Sequence, residues 1–232
     1  MLTQDQPRIE NWINGQFVGP AASSSDSETV QYLPVTSPYT AKIIGHVPLS
    51  TAADVAEAVA AAREAFPAWS ARTIKDRSGI LIRFHALMTK HADSISDLVV
   101  LEHGKTKAEA LVSVSRGQEL VEYAMSLPHA VQGKMLEVSR GITCYDTRVP
   151  LGVVVSIVPF NFPVMVPLWT LSVAIVMGNT MVLKPSEKVP FAMTKIVELL
   201  KEAGLPSGVV NLVNGTAESK DLIGMKGWQT DP

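Results

Sequence analysis

The chain has 232 residues, 47% of them hydrophobic and 18% charged, enough to bury a core in one large or two small globular units. Its 20 basic and 22 acidic residues leave a formal charge of -2, and aromatic residues make up only 6%, so neither a global field nor a stacking platform points to nucleic acid or an anionic membrane. The single cysteine, Cys144, excludes an intramolecular disulfide and a thiolate metal cluster and suits a reducing compartment.

The opening residues MLTQDQPRIE carry neither the pattern of a secretory signal nor that of a transit peptide. The expectation is a cytoplasmic protein, or a mitochondrial-matrix one in a eukaryote. Asn14-Gly15 lies between short apolar runs from Trp12 to Val18, which predicts a tight β-hairpin. Residues 20–29 (PAASSSDSET) read as a surface loop. Thr51 followed by Asp54 opens a helix whose Val55, Val59, Ala62 and Phe66 share one face. Thr73 with Asp76 opens a second, with Ile80, Leu81, Phe84, Leu87 and Met88 as its apolar stripe. Helical pattern then runs over 92–103, stops at Gly104 and resumes over 105–127.

Residues 134–138 and 142–149 read as two strands joined through Ser139, Arg140 and Gly141. Beyond them the chain alternates: strand 153–158, helix 163–177, strand 180–183, helix 189–203, strand 209–213. Residues 151–183 carry no charge, long enough to cross a bilayer, but Pro159, Pro163 and Pro167 break the run, and buried strand–turn–helix–strand is the better reading. Near-continuous apolar strands separated by helices indicate an α/β fold, the start of a doubly wound parallel sheet. Three such strands are about half of a full sheet. Strand 209–213 is therefore expected to present an open apolar edge that drives association, and 217–232 to be a frayed tail.

Ligands of such sheets bind outside the carboxyl ends of strands. At the first end stands Pro159-Phe160-Asn161-Phe162-Pro163; the Asn161 amide either donates to a developing oxyanion or caps a proline-rich turn. At the second, Lys184 and Glu187 either face a nucleotide ribose or form a surface ion pair and cap. A carboxylate there would repel a 2′-phosphate, which favours NAD over NADP. No G-x-G-x-x-G, H-E-x-x-H or Walker motif is present, and the five histidines show no metal-ligand spacing and read as surface or satisfied positions. Cys144, inside a β-patterned segment, is expected to be buried and inert.

On the Pro159–Pro163 turn and the Lys184-Pro185-Ser186-Glu187 run, the chain resembles the aldehyde dehydrogenase superfamily from Ile9 to Thr216. Leu101-Glu102-His103-Gly104-Lys105-Thr106, Arg116-Gly117, Phe160 where most members have tryptophan, and Lys184 to Pro190 narrow the likeness to the methylmalonate-semialdehyde (malonate-semialdehyde) dehydrogenases that acylate coenzyme A. The resemblance implies oxidation of a semialdehyde through a cysteine thioester, with NAD as cofactor and a homo-oligomeric enzyme. It implies that Val158 and Phe160 contact NAD, that Lys184 and Glu187 hold its adenosine ribose with Lys188 beside them, that Asn161 forms half of the oxyanion hole, and that Arg116 receives the substrate carboxylate. It divides the chain into an N-terminal helical part of the NAD-binding domain (9–133), a β-hairpin oligomerisation element (134–150), a partial dinucleotide-binding sheet (151–216) and a divergent tail (217–232). The family's nucleophilic cysteine and general-base glutamate have no counterpart in these residues. The chain is thus expected to be truncated and inactive alone, the alternative being a non-catalytic nucleotide-binding or assembly protein.

Overall fold

A computed structural model describes residues 6–20 and 31–216. The elements run β1 (Asn11–Ile13), β2 (Gln16–Val18), β3 (Tyr32–Thr36), β4 (Ile43–Pro48), α1 (Ala52–Ser70), α2 (Ile74–Lys90), α3 (Ala92–His103) and α4 (Lys107–Ala130). They continue with β5 (Lys134–Ser139), β6 (Ile142–Asp146), β7 (Val153–Ile157), α5 (Met165–Val176), β8 (Thr180–Lys184), α6 (Phe191–Glu202) and β9 (Val210–Leu212). The loop expected over 20–29 falls, Pro20 apart, outside the described residues, as does the segment 217–232.

The helix starts form where the capping residues stand. Thr51 and Asp54 bond reciprocally at the head of α1, the Thr73 hydroxyl accepts the Asp76 N–H at α2, and Thr106 and Glu109 form a second capping box at α4. Gly104 ends α3 at φ 80, in the left-handed region that favours glycine. Asn14 and Gly15 both have positive φ (50 and 77), as the tight hairpin turn between β1 and β2 requires.

The main sheet has the order β2-β1-β9-β8-β7, with β7, β8 and β9 parallel and β1 antiparallel to β9. Side chains of β8 alternate: Met181 and Leu183 enter the core shared with α2 to α6, and Val182 enters a smaller one against α1. Helices thus cover both faces, as expected for a doubly wound sheet. The expected open edge at strand 209–213 does not exist. β1 occupies it, with Trp12 opposite Leu212, and the Asn11 side chain accepts the Asn214 N–H at 2.8 Å. The edges of this sheet among the described residues are β2 and β7, and on β7 Ile157 is half exposed.

A separate hairpin, β3–β4, gave no clear sequence signal; Pro34 interrupts its first strand. The β5–β6 hairpin forms as expected, but every one of its residues is exposed. That overturns the expectation for Cys144, which lies exposed on β6, since among the described elements the hairpin packs mainly on itself. No helix among the described residues is long and apolar enough to cross a membrane.

Candidate functional site

β7 and β8 pair in register so that Ile157 lies opposite Lys184, and the Val158 N–H donates to the Lys184 carbonyl at 3.1 Å. The two carboxyl ends, and the segments leaving them, are therefore side by side. Every residue of β8 is buried, and Lys184 at its end inherits that burial at 6% exposure. Its ammonium donates to the Pro185 carbonyl at 3.0 Å and stands 3.8 Å from the Glu187 carboxylate. Burial pushes the Lys184 ammonium below its ordinary pKa, and the Glu187 charge opposes that.

The loop after Lys184 is tied to itself by the Val189 N–H on the Ser186 carbonyl at 3.1 Å and leads into α6. The first N–H groups of that helix find their partner on α3. Glu102 accepts from Phe191 N at 2.6 Å and Ala192 N at 3.0 Å. Its carboxyl is fully buried, and desolvation outweighs the two amide bonds, raising its pKa to about 8.

The turn after β7 presents Phe160 and Asn161 to solvent and buries Pro163 and Val164. The Lys188 ammonium sits 5.0 Å from the Phe160 ring centre, and the His103 ring lies 6.4 Å from it. From the α3–α4 corner, the Lys105 ammonium donates to the Asn161 carbonyl at 2.8 Å and lies over the Phe162 ring at 4.2 Å.

A cleft of about 560 Å³ opens here. One wall is the β3–β4 hairpin side with Leu33, Pro34, Val35, Thr36 and Pro38; the other is Phe160, Glu187, Lys188 and Val189; Glu102 and His103 complete the lining. Apolar walls with a few convergent charged groups are the usual make-up of a small-molecule site. Among the described residues, no cluster suits a metal ion.

Of the residues singled out in the sequence, Phe160, Glu187 and Lys188 come together in the cleft, with Lys184 buried behind Glu187. Asn161 adjoins Phe160 with its side chain exposed. The Val158 side chain packs in the core, and its N–H is taken by the Lys184 carbonyl. Arg116 is not in the cleft; it is exposed on α4 and paired with Glu119 at 2.9 Å. Its neighbour Gly117 lies against Leu168 and Val164, so Arg116 stands at the crossing of α4 with the helix that follows Asn161.

Sequence reasoning missed the part played by the α3–α4 corner. His103 was expected at a surface or satisfied position, yet it lines the cleft with a buried Nδ1 that has no hydrogen-bond partner among the described residues. Burial foremost, and the nearby Lys105 cation, hold the His103 ring below its ordinary pKa. The only advance signal was the run from Leu101 to Thr106, which local spacing gives no reason to place beside residues 160 and 187.

Residues 24–226 match the description of the aldehyde dehydrogenase family, a match that extends past Thr216, where the likeness was expected to stop. Among similar proteins is the malonate-semialdehyde dehydrogenase of Bacillus pumilus (strain SAFR-032), 44% identical over 216 residues, or 93% of this chain and 43% of that protein. The crystal structure of methylmalonate-semialdehyde dehydrogenase (DddC) from Oceanimonas doudoroffii superposes with a TM-score of 0.87 at 41% identity, covering 93% of this chain and 43% of that one. A methylmalonate-semialdehyde dehydrogenase structure from Sinorhizobium meliloti 1021, complexed with NAD, gives 0.88 at 33% identity over 95% and 44%. The chain thus spans less than half the length of each of these three relatives.

Proposed function

Because the chain belongs to the aldehyde dehydrogenase family, we propose that it supplies the ribose-holding part of an NAD site and half of an oxyanion hole to an enzyme that oxidises a malonate- or methylmalonate-type semialdehyde to its acyl-coenzyme A. The observation that carries this reading is the convergence of Phe160, Glu187 and Lys188 on one cleft at the carboxyl ends of β7 and β8. The NAD bound to a structural relative supports it.

The residues present fit a dinucleotide. Glu187 offers a carboxylate at the cleft wall, backed by the buried Lys184 ammonium, and can accept from two ribose hydroxyls while repelling a 2′-phosphate. Lys188 and Phe160 place a cation and an aromatic face beside it. When bound, NAD accepts the reducing equivalents of the oxidation. The exposed Asn161 side chain has no hydrogen-bond partner among the described residues, so its amide is free to donate to the oxygen that gains charge when a thiolate adds to the aldehyde. Arg116 suits a substrate carboxylate if its exposed pair with Glu119 opens, which costs little for a surface ion pair. Cys144 is exposed on a hairpin and does not line the cleft, so it does not serve as the nucleophile. The 232 residues alone should form no NADH from malonate semialdehyde; turnover abolished by Cys144→Ala would contradict this.

The exposed apolar β5–β6 hairpin favours a role in homo-oligomer assembly as well. The cofactor reading is tested by isothermal titration of NAD and of ADP-ribose into this chain and its Glu187→Ala variant. Hydrogen bonds to a charged group contribute about 1.5–3 kcal/mol each, so the variant should bind at least ~10-fold more weakly. Equal affinities would reduce the Lys184–Glu187 pair to a surface cap.

A further inference from the structure

Among the described residues, one side chain bonds to the backbone of the turn 159–163, and it comes from a distant part of the sequence: Lys105 on the Asn161 carbonyl, 56 residues away. We propose that Lys105 is the positioning residue for Asn161, holding the peptide plane that fixes where the Asn161 amide stands. Only the functional meaning of that placement rests on the oxyanion reading above; the placement itself does not.

Three features make Lys105 suited to the task. First, its own backbone is fixed on both sides. α3 ends at Gly104 in the left-handed region, where an added Cβ would meet Pro38 Cγ at 2.8 Å, and α4 starts at once with the Thr106–Glu109 capping box. A residue held between a tight helix stop and a closed cap has little freedom at its Cα. Second, the ammonium has two partners on the turn, the Asn161 carbonyl at 2.8 Å and the Phe162 ring at 4.2 Å, so the peptide group between those residues is gripped from both ends. Third, Lys105 itself is partly buried, and desolvation pushes its ammonium below its ordinary pKa while Glu109 opposes that.

The turn needs such a hold. Residues 160–162 form neither helix nor strand, and the Asn161 side chain makes no bond of its own. An oxyanion donor contributes most when it is oriented before charge develops, so a loose Asn161 would lose much of its effect. The same corner also reaches the cofactor side, since Glu102 caps α6. One short segment thus steadies both halves of the proposed site.

The test is NMR on the full chain, comparing wild type with Lys105→Met, which keeps the apolar stem and removes the donor, and with Lys105→Arg, which restores one. In Lys105→Met the Asn161 carbonyl ¹³C resonance should move upfield, and the order parameters of the Asn161 and Phe162 amides should fall. Lys105→Arg should recover both signatures, and the global melting temperature should stay that of the wild type. Unchanged carbonyl shift and order parameters in Lys105→Met would overturn the proposal, as would a loss of both that arginine does not rescue. If Lys105→Met does not fold, Lys105→Gln, a shorter neutral donor, is read by the same signatures. NAD titration of the same samples separates the two ideas. Absent NAD binding with the Lys105 signatures intact removes the cofactor reading and leaves Lys105 in place.

Discussion

β9 and the β5–β6 hairpin are both short β segments rich in apolar residues, yet every residue of β9 is buried and every residue of the hairpin is exposed. The difference lies in what the rest of the chain offers each. β9 has β8 on one side, β1 on the other and helices over both faces. The hairpin has only its own two strands, leaving Met135, Leu136, Val138, Ile142 and Tyr145 all more than half exposed. Apolar pattern alone therefore does not separate a strand that completes a core from one that stands out in solvent. A contiguous exposed apolar surface of this kind marks an interaction site or an aggregation liability.

The sharpest way to break that comparison is a matched pair of truncations. Leu212→Ala in β9 removes a fully buried side chain and should cost about 2–5 kcal/mol in urea unfolding. Leu136→Ala on the hairpin should change stability by no more than about 0.5 kcal/mol. Similar losses at both positions would mean that the hairpin is packed after all.

A second test uses the buried carboxyl that caps α6. Glu102 is held at about 8 in the fold against an ordinary value of 4.5. A carboxyl raised on folding stabilises fully below its ordinary value, and that contribution fades as pH climbs through the raised one. Stability should thus fall between about pH 4.5 and 8, by up to roughly 1.4 kcal/mol per pH unit. Glu102→Gln should flatten the fall in denaturant midpoints taken across that range. An unchanged slope in the variant would assign the fall to other groups.

The smallest effect on folding should come with a clear effect on assembly. Leu136→Lys on the open hairpin should leave the melting temperature within a degree or two of wild type, as for most exposed substitutions. In sedimentation velocity it should shift the distribution toward smaller species. Identical distributions would place the association surface elsewhere, the open β7 edge being next in line.

What the sequence made legible was local. The threonine–acid pairs at residues 51 and 54 and at 73 and 76, the Asn14-Gly15 turn and the Gly104 stop each encode a geometry within a few residues, and each forms. The alternation from 153 onward correctly gave parallel strands with crossover helices, because burial on both faces leaves a continuous apolar run. Strand-end logic placed the 159–163 turn and Glu187 at one end of the sheet, whereas Phe160 and Lys188 as ligand contacts came from the family resemblance. The pairing of β1 with β9 was not legible, since nothing near Trp12 announces Leu212 as its neighbour. Nor were Glu102 and Lys105, whose partners lie at |i−j| of 89 and 56 and are chosen by how α3 and α4 meet the sheet. Cys144 misled because β pattern was equated with burial.

The contact between the Asn11 side chain and the Asn214 amide joins positions 203 residues apart, and it imposes an order of events on synthesis. The β1–β2 hairpin leaves the ribosome long before β9, and its place in the sheet exists only once β9 has emerged. Until then Trp12 and Ile13, both buried in the finished fold, have no sheet to close. Such long-range pairings are slow to form and leave apolar surface exposed meanwhile. Until β9 is made, the nascent chain therefore carries in β1 two apolar side chains whose sheet neighbour has still to be synthesised.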